Sequence, residues 1–261
     1  MTRTLVHGAG RMAGSVLAQL PGFENLELVG LVSRTRPDEN SGIDWFASLE
    51  ELQSDVDLLI DFTLPGGTRA AARWCAVNNV ALLSGTTGLN DEDMQALKNT
   101  ALKVPVLWAP NLSHGVALVT ALVRQAAGAL GVSADISIND VHHRHKLDAP
   151  SGTALALASA AKEGRSRGSQ LRPDGEVSTG LSSSDKGDVA FSSVREGEVV
   201  GEHTISFAMP DELIEITHKA LDRDVFAKGA LKAGEWLVRQ KPGYYSTSDW
   251  LGLEGRGLEN R

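Results

Sequence analysis

The residues best suited to chemistry lie between Asp140 and Ala158, in the run DVHHRHKLDAPSGTALALA. His142, His143, Arg144, His145 and Lys146 stand side by side, so three of the chain's seven histidines and two fixed positive charges fall within five positions. The formal net charge of the chain is -8, so this positive charge is gathered against the overall balance. Pro150 disfavours helix at the residue before it, and Ser151 is a good N-cap for the apolar residues Leu155, Leu157 and Ala158 that follow. The amides of Gly152 and Thr153 should then be exposed at a helix start, where the dipole and backbone donors favour negative charge. Cationic side chains beside such a helix start make an anion site. A metal site is disfavoured, because Arg144 and Lys146 repel a cation and no HExxH or CxxC accompanies the histidines.

The elements that must position this cluster divide into two kinds. Thr4-Leu5-Val6 leads into His7-Gly8-Ala9-Gly10-Arg11-Met12-Ala13-Gly14, after which Met12, Val16 and Leu20 recur at helical spacing, which reads as strand, glycine turn and helix. Glycines there let backbone approach a pyrophosphate placed on the helix N-terminus, so Gly8, Ala9, Gly10, Arg11 and Met12 are candidate cofactor residues. A second strand over Leu26 to Val32 ends at Ser33-Arg34-Thr35-Arg36, about 20 residues beyond the loop, where such folds meet the adenosine ribose. An acidic residue there would bind the 2′-hydroxyl. Ser33 and Arg34 offer a hydroxyl and a guanidinium instead, which suit a 2′-phosphate.

The apolar run Asp57 to Phe62 predicts a strand buried on both faces, followed by a helix from about Thr68 to Val77. Short strands at Ala81 to Leu83 and Val104 to Trp108 flank a helix over Asn90 to Leu102, with Asn90 as its cap. Alternating strands and helices predict a doubly wound parallel α/β sheet. Beyond a long apolar helix at Ser113 to Leu130, the pattern changes. A strand at Ala134 to Val141, the Ser151 helix and a polar loop from about Glu163 to Gly187 come first. Strands at Val189 to Val194, Val199 to Phe207 and Leu213 to His218 follow with little helix between them, then a final helix at Arg223 to Arg239. This predicts a second, smaller α+β domain with an open mixed or antiparallel sheet.

Composition narrows the function classes. A hydrophobic content of 42% and 27 glycines describe a globular chain rich in turns, and no apolar run is expected to reach the ~20 residues that span a bilayer. The start lacks the apolar region of a signal peptide, so the expected location is cytoplasmic with no membrane association. Net negative charge argues against nucleic acid as a partner. The single cysteine, Cys75, allows no intrachain disulfide and sits in a helical pattern. It reads as structural, which weighs against acylating aldehyde dehydrogenases that need a reactive thiol.

From His142 to Ala154 the run closely resembles the signature of the 4-hydroxy-tetrahydrodipicolinate reductase (dihydrodipicolinate reductase) family. The resemblance extends over nearly the whole chain and implies a Rossmann-like domain over residues 1–112 and 223–261, with a substrate-binding and oligomerisation domain over 113–222. It implies that NAD(P)H reduces 4-hydroxy-tetrahydrodipicolinate to tetrahydrodipicolinate with release of water, in diaminopimelate and lysine biosynthesis, within a homotetramer. By the same resemblance His142 and Lys146 are the proton-transfer residues, and His143, Ser151, Gly152 and Thr153 hold the dicarboxylate. Asp61-Phe62-Thr63, Gly85-Thr86-Thr87-Gly88 and Ala109-Pro110-Asn111-Leu112 resemble the family loops that hold nicotinamide and ribose, which nominates Phe62, Gly85, Thr86, Thr87, Ala109, Pro110, Asn111 and Leu112. Two departures stand out. The family usually has GxxGRMG, whereas here the loop is one residue shorter and Ala13 stands where glycine is usual. The position after Thr63, commonly Arg or a similar polar group in relatives, is Leu64, so no nucleotide contact from that side chain is carried over.

Hydride addition to a conjugated imine leaves an enamine-like carbon that must be protonated, so a proton donor has to lie opposite the nicotinamide. A catalytically silent dinucleotide-binding regulator is the rival from another class, and the presence of His142 and Lys146 weighs against it. A reductase of aspartate semialdehyde or a similar aldehyde is the rival enzyme, separated by the two anion contacts that a cyclic dicarboxylate needs. NADPH is the expected preferred nucleotide, with NADH still used.

Overall fold

The computed structural model describes residues 1–38, 41–170 and 189–252. It divides into two compact units, Met1–His114 with Asp224–Arg261, and Gly115–Arg223. The first unit carries a seven-stranded sheet built from β1 (Thr2–His7), β2 (Leu26–Val32), β3 (Trp45–Phe46), β4 (Leu58–Asp61), β5 (Ala81–Ser84), β6 (Pro105–Trp108) and β11 (Gly243–Tyr245). Its order is β11-β6-β5-β4-β1-β2-β3 and every pairing is parallel. The apolar runs that compose these strands alternate between two cores, because successive strand side chains point to opposite faces. Val6, Leu58, Ile60, Leu83 and Leu107 pack on one face with α1 (Arg11–Gln19) and α6 (Asp224–Leu237). Leu5, Leu59, Leu82 and Val106 pack on the other with α2 (Pro65–Asn78) and α3 (Asp91–Ala101). Cys75 lies fully inside the second core, where burial pushes its thiol well up, as a structural cysteine requires.

Two short edge strands, β3 and β11, were not predicted, since two or three residues show no periodicity. Helix α2 begins at Pro65, earlier than the predicted Thr68. Proline is well suited to the first helical turn, but Gly66 and Gly67 have low helix propensity and mask the start.

The second unit holds a four-stranded sheet of order β10-β9-β7-β8, formed by β7 (Asp135–His142), β8 (Ala190–Arg195), β9 (Gly201–Ala208) and β10 (Leu213–Ala220). It is mixed: β7 and β8 are parallel, while β9 runs antiparallel to both β7 and β10. One face is covered by α4 (His114–Leu130) and α5 (Gly152–Gln170), with Ile136, Ile138, Ile205 and Phe207 at the centre of the core. The helices approach closely at glycines, since a Cβ at Gly164 would lie 2.0 Å from the Arg124 carbonyl oxygen.

Two expectations need correction here. Helix α5 continues through Gln170, so the polar loop does not begin at Glu163. Its remainder, 171–187, lies outside the described residues. The segment His114–Ser133 is also long and apolar enough to count as a candidate membrane span, with mean hydropathy 1.5, contrary to the prediction that no run would qualify. Val119, Val123 and Ala127 of this segment pack into the unit's own core, as in the core helix of a globular protein.

The start of α3 shows how local sequence fixes an element. The Asn90 side chain accepts from the Asp93 amide at 2.9 Å, and Asp93 accepts from the Asn90 amide at 3.0 Å, a reciprocal capping box. Replacing Asn90 by Ala should cost about 1 kcal/mol of stability, measured as a lower chemical-denaturation midpoint with nucleotide binding unchanged.

Candidate functional site

In the first unit, the carboxyl ends of β1, β2 and β4 open onto a cleft of about 830 Å³ lined by His7 to Gly10, Val32 to Thr35, Phe62 to Leu64, Gly66 and Gly67. The sheet order reverses at β1, which is where open α/β sheets bind ligands. Gly8 adopts φ +116°, and a Cβ there would meet the Phe62 carbonyl oxygen at 2.5 Å. Nothing lies within 4 Å of a Cβ built at Gly10, the cap residue of α1, so backbone there is open to a ligand. The α1 and α2 N-termini both face this cleft through Gly10 and Leu64, neither with a side-chain cap. Their partial positive charges fit the two phosphates of a dinucleotide.

Of the predicted cofactor residues, this cleft brings together Gly8, Ala9, Gly10, Ser33, Arg34 and Phe62. Arg11 and Met12 open α1, with Met12 half-buried against the core. A Cβ at Gly85 would lie 2.2 Å from the Phe62 ring, so a side chain there would displace that ring. Thr86 is buried and its hydroxyl donates to Asp61, while Thr87 and Pro110 are exposed. Ala109 and Leu112 point into the core, so only their backbone can serve a ligand. The Asn111 side chain accepts from the Ser113 amide at 2.9 Å.

Ser33 departs from its predicted role as a phosphate donor. Its hydroxyl donates to the Thr35 carbonyl at 2.6 Å and accepts from the Trp45 indole at 3.1 Å, so it shapes the turn. Arg34 is exposed on the cleft wall.

Two residues of this region stood inside the motifs read from the sequence but were given no role of their own. Asp61, at the end of β4, is 0% exposed. Its carboxylate accepts from the hydroxyls of Thr63, Thr68, Ser84 and Thr86 at 2.6 to 3.1 Å, and His7 Nδ1 lies 3.1 Å away. Burial alone would raise its pKa, but His7 and the hydroxyl donors outweigh burial and hold it below the usual carboxylate range. His7, registered with Asp61 across β1 and β4, lines the cleft.

In the second unit, the predicted cluster is built on the end of β7. Strand register sets Asp140 opposite His203 of β9 and Ser193 of β8, and His142 opposite Arg195. Asp140 is 0% exposed and accepts from the Ser151 amide at 2.9 Å, Arg195 Nη2 at 3.0 Å and Ser193 Oγ at 3.4 Å. Its other oxygen lies 2.8 Å from His142 Nδ1 and 3.3 Å from His203 Nε2. Burial opposes its charge, yet Ser151 and Arg195 bring its pKa below the ordinary value. His142 is pushed down, first by burial and then by Lys146 and Arg195 against the pull of Asp140. His203 falls to about 4, chiefly through burial, and so is neutral at physiological pH.

Ser151 caps α5 as predicted, its hydroxyl accepting from the Ala154 amide at 3.1 Å. It is only 1% exposed and also contacts His203 Nε2 at 3.1 Å, so it stands behind the surface instead of facing a ligand. Gly152 is exposed and Thr153 half-buried. His143 is half-buried, and its pKa is lowered by partial burial and by Arg223. The Lys146 ammonium lies 2.8 Å from Asp148. Asp140, Arg195 and His203 were not predicted. Asp140, His142 and His203 place three possible metal-ligand atoms within 4.8 Å of one another. The Arg195 guanidinium on the same carboxylate sets a fixed positive charge beside any cation placed there.

Residues 2–112 match the family model described as dihydrodipicolinate reductase, N-terminus, and residues 115–251 match the one described as dihydrodipicolinate reductase, C-terminus. A curated protein named 4-hydroxy-tetrahydrodipicolinate reductase from Alkalilimnicola ehrlichii is 40% identical, the match covering 95% of this chain and 98% of that protein. One of the same name from Afipia carboxidovorans is also 40% identical, covering 97% and 93%. Among solved structures, the dipicolinate-bound dihydrodipicolinate reductase from Paenisporosarcina sp. TG-14 superposes with a TM-score of 0.78 at 25% identity, covering 95% of this chain and 99% of that one. With both units matched in sequence and fold, the chain belongs to the dihydrodipicolinate reductase family.

Proposed function

We propose that this chain is an NAD(P)H-dependent 4-hydroxy-tetrahydrodipicolinate reductase of diaminopimelate and lysine biosynthesis, acting in the cytoplasm. The observation that carries the reading is the cationic loop from His142 to Lys146 set against the Ser151-capped start of α5. Backbone donors at Gly152 and Thr153 and side chains of the loop give a cyclic dicarboxylate two kinds of anion contact, which an aldehyde substrate would not need. The first-unit cleft fits a dinucleotide, with its glycine cradle at Gly8 and two helix N-termini for the phosphates.

The reduced nicotinamide nucleotide supplies the hydride. The chain supplies the proton that the enamine-like carbon takes up, from His142, with Lys146 as a second donor whose ammonium Asp148 steadies. His143, Gly152 and Thr153 orient the carboxylates. The homotetramer implied by resemblance would use the sheet face of the second unit left open at Ser137, Asn139 and Thr217.

Replacing His142 or Lys146 by Ala should lower kcat by about 10²-fold or more, the usual scale for a lost general acid, with nucleotide affinity unchanged. Wild-type turnover in both variants, followed by nucleotide absorbance with freshly made substrate, would remove the assignment.

Pyridine-2,6-dicarboxylate should inhibit competitively with substrate. A pyridine monocarboxylate should inhibit far more weakly, and equal inhibition by the two would mean that no two-anion site exists.

NADPH is the preferred nucleotide in this reading and NADH the poorer one. Ser33 and Arg34, with no Asp or Glu, stand directly after β2 where a ribose 2′-hydroxyl would be held, and Arg34 lines the cleft wall, from which a charge-assisted contact worth about 1.5 to 3 kcal/mol with a 2′-phosphate is available. Arg34→Ala should therefore reduce kcat/KM for NADPH by roughly tenfold to a hundredfold while leaving NADH nearly unchanged. Equal loss with both nucleotides would mean that Arg34 supports the loop and does not read the phosphate.

A further inference from the structure

The two oxygens of Asp140 face different partners. Oδ2 accepts from the Ser151 amide, Arg195 Nη2 and Ser193 Oγ at 2.9, 3.0 and 3.4 Å. Oδ1 meets only rings among the described residues, with His142 Nδ1 at 2.8 Å and His203 Nε2 at 3.3 Å. A carboxylate oxygen that close to a ring nitrogen is repelled by a lone pair and attracted by an N–H, so the neutral His142 ring should carry its proton on Nδ1. The contact is oblique to the N–H direction and therefore acts through charge more than through hydrogen-bond alignment.

The opposite end of the ring has its own constraint. A Cβ at Gly201 would sit 2.9 Å from His142 Nε2 and 3.3 Å from Cδ2. Nε2 has clearance because residue 201 has no side chain.

We propose that Asp140 is the positioning residue for His142: it keeps the ring proton on Nδ1 and leaves Nε2, uncrowded beside Gly201, as the nitrogen that takes up a proton and returns it to substrate. This rests on the reading of His142 as the proton-transfer group. On protonation an N–H bond forms at Nε2, and the imidazolium is held against Asp140. On transfer that bond breaks, its electron pair stays on nitrogen, and the proton joins carbon. The charged and titratable groups facing the ring are Asp140 on its own strand, Arg195 on β8, His203 on β9 and Lys146 on the following loop. Asp140 alone favours the imidazolium, while burial, Lys146 and Arg195 oppose it, so the ring can pass between its two states.

The network also fixes what a substitution does. In Asp140→Asn the amide oxygen has to turn toward the three donors at Ser151, Arg195 and Ser193, which points the NH2 at His142 Nδ1 and drives its proton to Nε2. Nitrogen chemical shifts of ¹⁵N-histidine-labelled protein report this directly. Wild type should show a pyrrole-type Nδ1 and a pyridine-type Nε2 for His142, and Asp140→Asn should show the reverse. The same variant should lose about 10²-fold in kcat with KM for NADPH unchanged. Asp140→Glu should recover part of that loss. In a His142→Ala background, Asp140→Asn should cost nothing further. Gly201→Ala, which leaves the carboxylate and its donors in place, should also lower kcat without changing the tautomer or NADPH affinity, and it serves if Asp140→Asn does not fold. An Nε2–H tautomer in wild type, or a loss from Asp140→Asn that persists undiminished in the His142→Ala background, would overturn the proposal itself. Wild-type turnover by His142→Ala would overturn it through the reading it rests on, a failure the nitrogen shifts distinguish from the first.

Discussion

A fully buried carboxylate at the end of a strand organises each unit. Asp61 closes β4 and Asp140 lies near the end of β7, both without solvent exposure. An unpaired charge in such a place costs several kcal/mol, so the structure around each must bring donors to it. Asp61 draws them from β1 through His7, from β5 through Ser84, from the loop after β5 through Thr86 and from α2 through Thr68. Asp140 draws them from β8 through Arg195 and from the cap of α5 through Ser151, with His203 of β9 against its other oxygen. In both units the carboxylate ties neighbouring strands to the start of the next helix. In open α/β sheets such strand ends and helix starts are where ligands bind, so in the first unit one electrostatic requirement fixes the fold locally at the edge of the cleft.

The sequence discloses the local parts of this arrangement and hides the non-local ones. Ser151 reads as a cap because its partner, Ala154, is three residues away. Strand β2 emerges with the predicted bounds, since each face of its apolar run meets a covered core. Arg195 and His203 stand 55 and 63 residues from Asp140, and no local pattern marks them as its partners. One signal was available. Along β7 the buried positions are Ile136, Ile138, Asp140 and His142, so a charged residue falls on the apolar phase of a strand. Polar residues on a buried phase must be satisfied from across the sheet, and that alone flags Asp140.

Ser33 shows the opposite case, a residue legible in type but not in use. A hydroxyl at the end of β2 suits a 2′-phosphate, yet Trp45, 12 residues on, reaches back to it from β3 while the hydroxyl turns to Thr35. The indole also lies under Arg36, at 5.6 Å from its ring centre. Strand β3 was too short to predict, and with it the tryptophan that fixes this turn. Arg34, which lines the cleft, follows directly on this anchored turn, and a fixed turn lowers the entropy cost of any contact its neighbours make.

The cations of the second unit fall into two classes with different consequences for anion binding. Arg195 is matched by buried Asp140, and removing that carboxylate would leave a charge uncompensated inside the protein. Lys146 is matched by Asp148, which is more than half exposed, and Arg144 and His145 approach Glu198 only at 3.8 Å. The Arg144 pair is solvent-exposed and worth at most about 1 kcal/mol, and the Lys146 pair has one partner open to water. Separating Lys146 from Asp148 therefore costs less than separating Arg195 from the buried carboxylate of Asp140. Asp148 and Glu198 offset the positive charge of Lys146 and Arg144, which keeps the clustered charge from repelling itself. Under the proposed function, the inner pair would hold His142 in place while the outer contacts give way to an anion, so binding need not disturb the ring.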